Sequence, residues 1–233
     1  QETITKAAVI RDEKRFFHWD LEFPEAFVDL GRGTWKSSDQ QGFDAIVGNP
    51  PYKVLGGEGV DTRLKRELIF YENMRVYAPA VHRAKNLYKF FICRAVALLA
   101  DSGSFSFIVP MSLLGDMQTS EIRRMLLQHT ELIAIEAFPQ KDDPANRVFP
   151  ETKLSTAIFV TRASSEENRL LVRTHPGRVI SEDSAALLVS PNEVLTIDPE
   201  NAAIPACTQR DWNIATDIWT SRVERLGKSA KCF

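Results

Sequence analysis

"NLYKFFICRAVALLADSGSFSFIVP", residues 86–110, sets the fold class of this 233-residue chain. Its first half carries Leu87, Phe90, Phe91, Ala95, Leu98 and Leu99 at helical spacing, and Gly103 follows as the expected stop. "SFSFIVP" is then a strand closed by Pro110, which has no N–H to offer a ladder. Upstream, Phe43–Gly48 reads as another strand. Downstream, a shorter helix covers about Thr119–Gln128, with Ile122, Met125 and Leu126 on one face. "ELIAIEAF" (131–138) and "LSTAIFVTRA" (154–163) are further strands, the second apolar on both faces as a buried strand would be. Strand, helix, strand, helix, strand predicts an α/β sheet with helices packed on it. Ligands in such sheets sit outside the carboxyl ends of the strands.

The flanks are less regular. Phe16, Phe17, Trp19, Leu21, Phe23 and Phe27 predict a segment that docks aromatics on the core, and "GRGTWKSSDQQ" (31–41) reads as a loop. Residues 53–86 begin with a glycine-bearing stretch, "KVLGGEGVD", and read as a long loop followed by helical or irregular structure. Beyond Glu166 the pattern weakens. "LLVRTHPGRVI" (170–180) and "AALLVSPNEVLTI" (185–197) suggest short strands. "QRDWNIATDIWTSRVERL" (209–226) suggests a helix with Trp212, Ala215 and Trp219 on one face.

Composition is that of an ordinary soluble domain, with 44% hydrophobic and 26% charged residues. The formal net charge of −2 excludes a global basic field, so any nucleic-acid surface must be local. Cys93, Cys207 and Cys232 are far apart, which argues against a disulfide framework or a zinc site and fits a reducing cytoplasm. No apolar run approaches the roughly 20 residues that cross a bilayer. The start has no initiator Met and no signal-peptide pattern, so a fragment of a longer polypeptide is expected.

The most telling residues stand where the Phe43–Gly48 strand ends: Asn49, Pro50, Pro51 and Tyr52. The residue before a proline is pushed toward extended geometry, which fixes Asn49. The Asn49 side-chain oxygen and the Pro50 carbonyl are two acceptors that can face one planar amino group. Tyr52 supplies a flat face for stacking. An amine conjugated to a purine is a poor nucleophile because its lone pair is delocalised. Accepting both of its N–H bonds pulls the nitrogen toward tetrahedral geometry, and preorganised dipoles stabilise the developing positive charge. Alignment with an electrophilic methyl group supplies most of the remaining catalysis.

With "FFHWDLEFPEAF" before it, and "LYKFFICRAVALLADSGSFSFIVPMSLLGD" and "RVFPETKLSTAIFV" after it, this turn resembles motif IV of the Eco57I-like type II N6-adenine DNA methyltransferases. The likeness covers roughly Arg15–Arg162. It implies a partial Rossmann-like class I methyltransferase sheet that lacks its N-terminal cofactor-binding strands, plus a less regular C-terminal extension. Residues 1–165 are then the motif IV to VIII part of the domain, and residues 166–233 a linker or the start of a target-recognition region. The resemblance implies a restriction-modification enzyme that transfers methyl from S-adenosyl-L-methionine (AdoMet) to N6 of an adenine flipped out of double-stranded DNA. Asn49, Pro50, Pro51 and Tyr52 would be catalytic. Phe149 would close the base pocket, and Lys153 would meet DNA phosphate. No metal is required for that step.

One departure from the family pattern bears on the cofactor. No glycine-bearing loop after a first strand precedes Asn49; "GRGTW" follows no convincing strand and "VLGGEGVD" comes too late. The main AdoMet loop is therefore expected upstream, in the remaining parts of the same polypeptide, and the isolated chain is expected to be inactive. Two rivals use the same residues: an Asn-Pro-Pro-Tyr methyltransferase acting on protein glutamine or RNA guanine, and a non-catalytic DNA-recognition or assembly module. Asp12, Glu13 and Lys14 offer part of a nuclease motif, although adjacent charges usually mean solvated surface. Lys65, Arg66, Arg83, Lys85 and Lys89 suggest either a DNA-facing strip or a solvated helix face.

Overall fold

The computed structural model describes residues 3–6, 9, 12, 17–55, 68–164 and 169–220. Eight strands are named in chain order: β1 (Val28–Asp29), β2 (Thr34–Trp35), β3 (Phe43–Gly48), β4 (Leu99–Pro110), β5 (Glu131–Phe138), β6 (Thr156–Arg162), β7 (Leu170–Thr174) and β8 (Ala186–Val189). The last six form one sheet in the order β3-β4-β6-β5-β7-β8. β3, β4, β5 and β7 run parallel, while β6 and β8 are antiparallel to their neighbours. The expected α/β architecture is present, as a mixed sheet.

Helix α1 (Leu87–Leu98) leads directly into β4, and α2 (Ser120–His129) into β5. The two helices pack on each other, α1 against β4 and α2 against β5. Phe105, Phe107, Val109, Ala157 and Phe159 turn one side of the sheet into a buried core with Ile92, Ile122 and Leu126. On β4 and β6 the alternate residues Ser106, Ile108, Ile158 and Val160 remain half-buried. β3 is one of the two edge strands of this sheet, and its Val47 is 85% exposed.

The aromatic N-terminal segment gathers around one ring but is not buried in the core as expected: Phe17, Leu21 and Phe23 are exposed, and Phe16 lies outside the described residues. Trp19, Phe23 and Phe27 each meet Phe43 at the start of β3, with ring centroids 5.3–5.7 Å apart. β3 and β4 begin almost in contact there. Gly42 has φ +118°, and a Cβ on it would lie 2.6 Å from the Ala100 nitrogen and 2.7 Å from the Leu98 oxygen. Gly42→Ala is therefore expected to cost about 2–4 kcal/mol, read as a lowered urea midpoint with unchanged slope.

Gly103 does not stop the helix, as its position in the sequence suggested. α1 ends at Leu98, and Gly103 lies within β4, where a Cβ would meet the Phe43 carbonyl oxygen at 2.5 Å. It serves close backbone approach.

The sheet also continues past the boundary expected between residues 165 and 166. β7 pairs with β5 and β8 with β7, so residues 170–189 extend the same layer. The stretch expected as a strand over 185–197 is half strand and half helix. β8 stops at Val189, and helix α3 (Pro191–Ile197) starts behind a capping box, in which Ser190 and Glu193 satisfy each other's backbone N–H groups. Helix α4 (Gln209–Thr220) follows with Trp212 buried beneath it.

The C-terminal extension is fastened by a buried guanidinium. Arg123 of α2 donates to the carbonyls of Asn201, Ala202, Leu113 and Asp116. Lys89 plays a similar part on α1: it is 1% exposed, and its Nζ donates to the carbonyls of His82, Ala84 and Gln118 at 2.8–2.9 Å. It is no member of a DNA-facing strip.

Candidate functional site

The carboxyl ends of β3, β4, β5 and β7 share one edge of the sheet, and the Asn49–Tyr52 turn leaves β3 there. Gly48 is the last residue of β3, where a Cβ would press on the Phe107 ring at 3.1 Å, and the prolines that follow cannot continue the ladder. Pro50 is buried, whereas Asn49 is exposed. No group among the described residues bonds the Asn49 carboxamide. The chain then turns back along the start of α1, where the Leu55 nitrogen donates to the Lys85 carbonyl at 2.7 Å and the Leu87 nitrogen to the Lys53 carbonyl at 2.9 Å. These bonds fasten the chain just after the turn to the start of α1.

Tyr52 is fixed from two sides. Its hydroxyl donates to the Ile108 carbonyl of β4 at 2.8 Å, and its ring meets Tyr88 edge-on with centroids 6.2 Å apart. Burial pushes the Tyr52 phenol up to about 12, so it remains a donor at neutral pH. The other ring comes from the loop between β5 and β6. Phe149 lies 6.4 Å from Tyr52, centroid to centroid, with the planes at 63°. The two rings form an angled corner and not a parallel slot.

Together these groups line an open cleft of about 340 Å³, formed by Asn49, Pro50, Pro51, Tyr52, Phe149, Thr152 and Leu154. That is the lower end of the volume range of small-molecule sites, about 300–1,000 Å³. The structure thus brings together all the residues singled out for the site except Lys153. Lys153 does not line the cleft; its Nζ pairs with Asp142 at 2.8 Å on the surface of the same loop, and that bond draws the Asp142 carboxyl below its ordinary range. Thr152 and Leu154 were not anticipated, and nothing in their types signals a site.

The remaining candidates have other uses. Lys85 pairs with Glu72 at 2.6 Å, and Lys65 and Arg66 lie outside the described residues, as do Glu13 and Lys14. Burial pushes the Cys93 thiol up to about 12, which leaves it inert. His175, fully buried, bonds Glu136 at 2.7 Å and Ser184 at 2.9 Å. Burial acts to raise the Glu136 carboxyl, but bonds from Arg173 and His175 outweigh it and hold the carboxyl below its ordinary range. Glu136 and Arg173 are register partners on β5 and β7, so this network ties the added strand to the sheet.

Among the described residues, the glycine-bearing turn that precedes Asn49 is not a seat for AdoMet. The Gly31–Gly33 turn joins β1 and β2, a two-stranded ribbon apart from the main sheet, and its N–H groups at Gly31 and Arg32 are already taken by Asp29 Oδ1. The stretch around Gly56 and Gly57 lies outside the described residues. What the described residues form is a cleft lined by Asn49 and Pro50 beside an aromatic corner, at the carboxyl edge of an α/β sheet.

The chain belongs to the Eco57I restriction-modification methylase family, whose sequence model matches residues 1–144. No curated protein matches the chain closely enough to count as a relative. Among solved structures, it is similar to the methyltransferase subunit of a type I restriction-modification system from Streptococcus thermophilus, at 15% identity and a TM-score of 0.49 over 70% of this chain and 37% of that one. A modification subunit of a putative type I restriction enzyme from Vibrio vulnificus YJ016 gives 16% identity and a TM-score of 0.43 over 81% of this chain and 33% of that one. The DrdV–DNA complex gives 16% identity and a TM-score of 0.48 over 64% of this chain and 17% of that one. The chain therefore spans between 17% and 37% of the length of these three proteins.

Proposed function

We propose that this chain supplies the target-base pocket of a DNA adenine methyltransferase in a restriction-modification system. The observation that carries the reading is the Asn49 carboxamide, bonded by no group among the described residues, beside Pro50 at the mouth of a cleft lined by Tyr52 and Phe149. The Asn49 oxygen and the Pro50 carbonyl accept the two N–H bonds of the adenine N6 amine, and Pro51 holds the turn extended. Tyr52 stacks on the flipped base, and Phe149 closes its edge, as the 63° angle between the rings favours. A second aromatic wall suits a flat base better than the narrow, flexible side chain of a protein glutamine.

The family implies AdoMet as the methyl donor, and we assign its main seat to other parts of the same polypeptide. Lys153 reaches DNA phosphate by exchanging Asp142 for it. An exposed ion pair is weak and screened by salt, so the exchange costs little.

The test uses the full-length polypeptide with methyl-labelled AdoMet. Duplex DNA is expected to gain label at adenine N6, and a glutamine-bearing peptide or guanine-containing RNA to gain none. Label on the peptide or the RNA alone would overturn the assignment of adenine. Absence of transfer to all three, with DNA still bound, would favour a non-catalytic recognition module.

A further inference from the structure

We propose that Arg147 is a positioning residue for the Phe149 wall, an inference that rests on the base-pocket reading above. Phe149 sits in the 139–155 connection between β5 and β6, which contains no helix or strand. A loop of this length without regular structure has no ladder to hold its two limbs together. Arg147 joins them instead. Its Nε donates to the Lys141 carbonyl, Nη2 to the Asp142 carbonyl at 3.3 Å, and Nη1 to the Pro150 carbonyl at 3.0 Å.

One planar group thus bridges the departing limb at 141–142 and the returning limb at 150. Phe149 lies between Arg147 itself and the anchored Pro150, so its ring has little freedom to leave Tyr52. Lesser bonds complete the loop: Asp143 accepts from the Ala145 nitrogen at 2.9 Å and from Asn146 Nδ2 at 2.7 Å, and the Ser155 hydroxyl closes the base on the Pro139 carbonyl at 2.7 Å. Ser155 joins the limbs only at the base, and the other cross-limb contact, the Lys153–Asp142 pair, is exposed on the surface. The guanidinium fork is essential to the arrangement, because it presents donors in several fixed directions at once. A lysine ammonium can serve three carbonyls only where they converge on one point, as they do on Lys89, whereas carbonyls 141, 142 and 150 are met here by three separate nitrogens.

That difference separates positioning from a plain electrostatic role. The full-length enzyme carrying Arg147→Lys is compared with Arg147→Gln and wild type for methyl transfer to duplex DNA, for the salt dependence of DNA binding, and for amide exchange over residues 141–153. Both variants are expected to lose about 100-fold in kcat, as misplacement of a substrate wall by about 1 Å does. Their salt slope should match wild type, and amides 141–153 should exchange at least about tenfold faster while the sheet is unchanged.

The inference is overturned if Arg147→Lys keeps the wild-type rate and Arg147→Gln alone flattens the log–log salt slope by about 0.9, which would make Arg147 a phosphate contact. It is equally overturned if exchange over 141–153 is the same in all three proteins. A wild-type enzyme that transfers no methyl to DNA removes the base-pocket reading instead, and the exchange comparison still decides whether Arg147 straps the loop.

Discussion

Asn49→Ala in the full-length polypeptide is expected to lower kcat for adenine methylation by about 10²–10³-fold, the loss typical of deleting one preorganised group that meets developing charge. In the ground state the N6 amine is planar and its two N–H bonds are served nearly as well by water. As the nitrogen attacks, it becomes tetrahedral and gains positive charge, and both acceptors then matter more. The interaction is therefore stronger in the transition state than in the bound base, and its loss should appear in kcat and not in KM. Folding should be unaffected, because Asn49 is exposed and its carboxamide supports nothing else among the described residues. DNA affinity should be preserved as well, since affinity is dominated by phosphate contacts. A loss in kcat of less than about tenfold would remove Asn49 from the chemistry.

The reach of the sequence follows the range of the interactions. β3, α1, β4, β5 and β6 were legible because each carries its own apolar period, and the Asn-Pro-Pro-Tyr turn because proline chemistry is local. Gly103 was misread because a helix stop and a close backbone approach both select glycine. Only the pairing of β3 with β4 shows that the Phe43 carbonyl leaves no room for a Cβ there. Ser190-Pro191-Asn192-Glu193 did carry a local signal, a capping box with proline in the first turn, which a strand reading of 185–197 passed over. Lys89 looked like a solvated cation because the carbonyls that receive it come from His82, Ala84 and Gln118, segments with no pattern of their own. The extension of the sheet by β7 and β8 was hidden for a related reason: Glu136 and Arg173 become partners only once the strands pair. Tyr52 and Phe149 were each identified from the sequence, but the angle between their rings depends on the Ile108 carbonyl and on the loop that Arg147 holds.

Arg123→Met should be the most damaging single change to stability, at about 4 kcal/mol, since each buried acceptor left unpaired costs about 1–3 kcal/mol and partial hydration recovers some of it. The residue is fully buried on α2 and takes up four carbonyls, two from Leu113 and Asp116 and two from Asn201 and Ala202. Methionine fills much of the same volume but returns none of these bonds. At about 2–4 °C per kcal/mol for a chain of this size, Tm should fall by roughly 8–16 °C. Arg124→Met is the control: Arg124 is half-buried, bonds the Pro199 and Glu200 carbonyls near solvent, and should cost no more than about 1 kcal/mol.

The shape of the transition tests how the extension relates to the sheet. Ala202 is buried at φ 52°, and the Ile204 nitrogen donates to the Leu114 carbonyl at 2.8 Å, so the segment after α3 is built into the sheet's helical layer. If residues 170–220 form one cooperative unit with the rest, Arg123→Met lowers a single transition and exchange accelerates in α2, β5 and β7 together. If the extension is a separate unit that merely docks, the variant opens residues 198–204 to protease while the Tm of the sheet stays within about 2 °C of wild type. The bonds across Arg123 and the continuous pairing from β5 through β7 to β8 favour the first outcome.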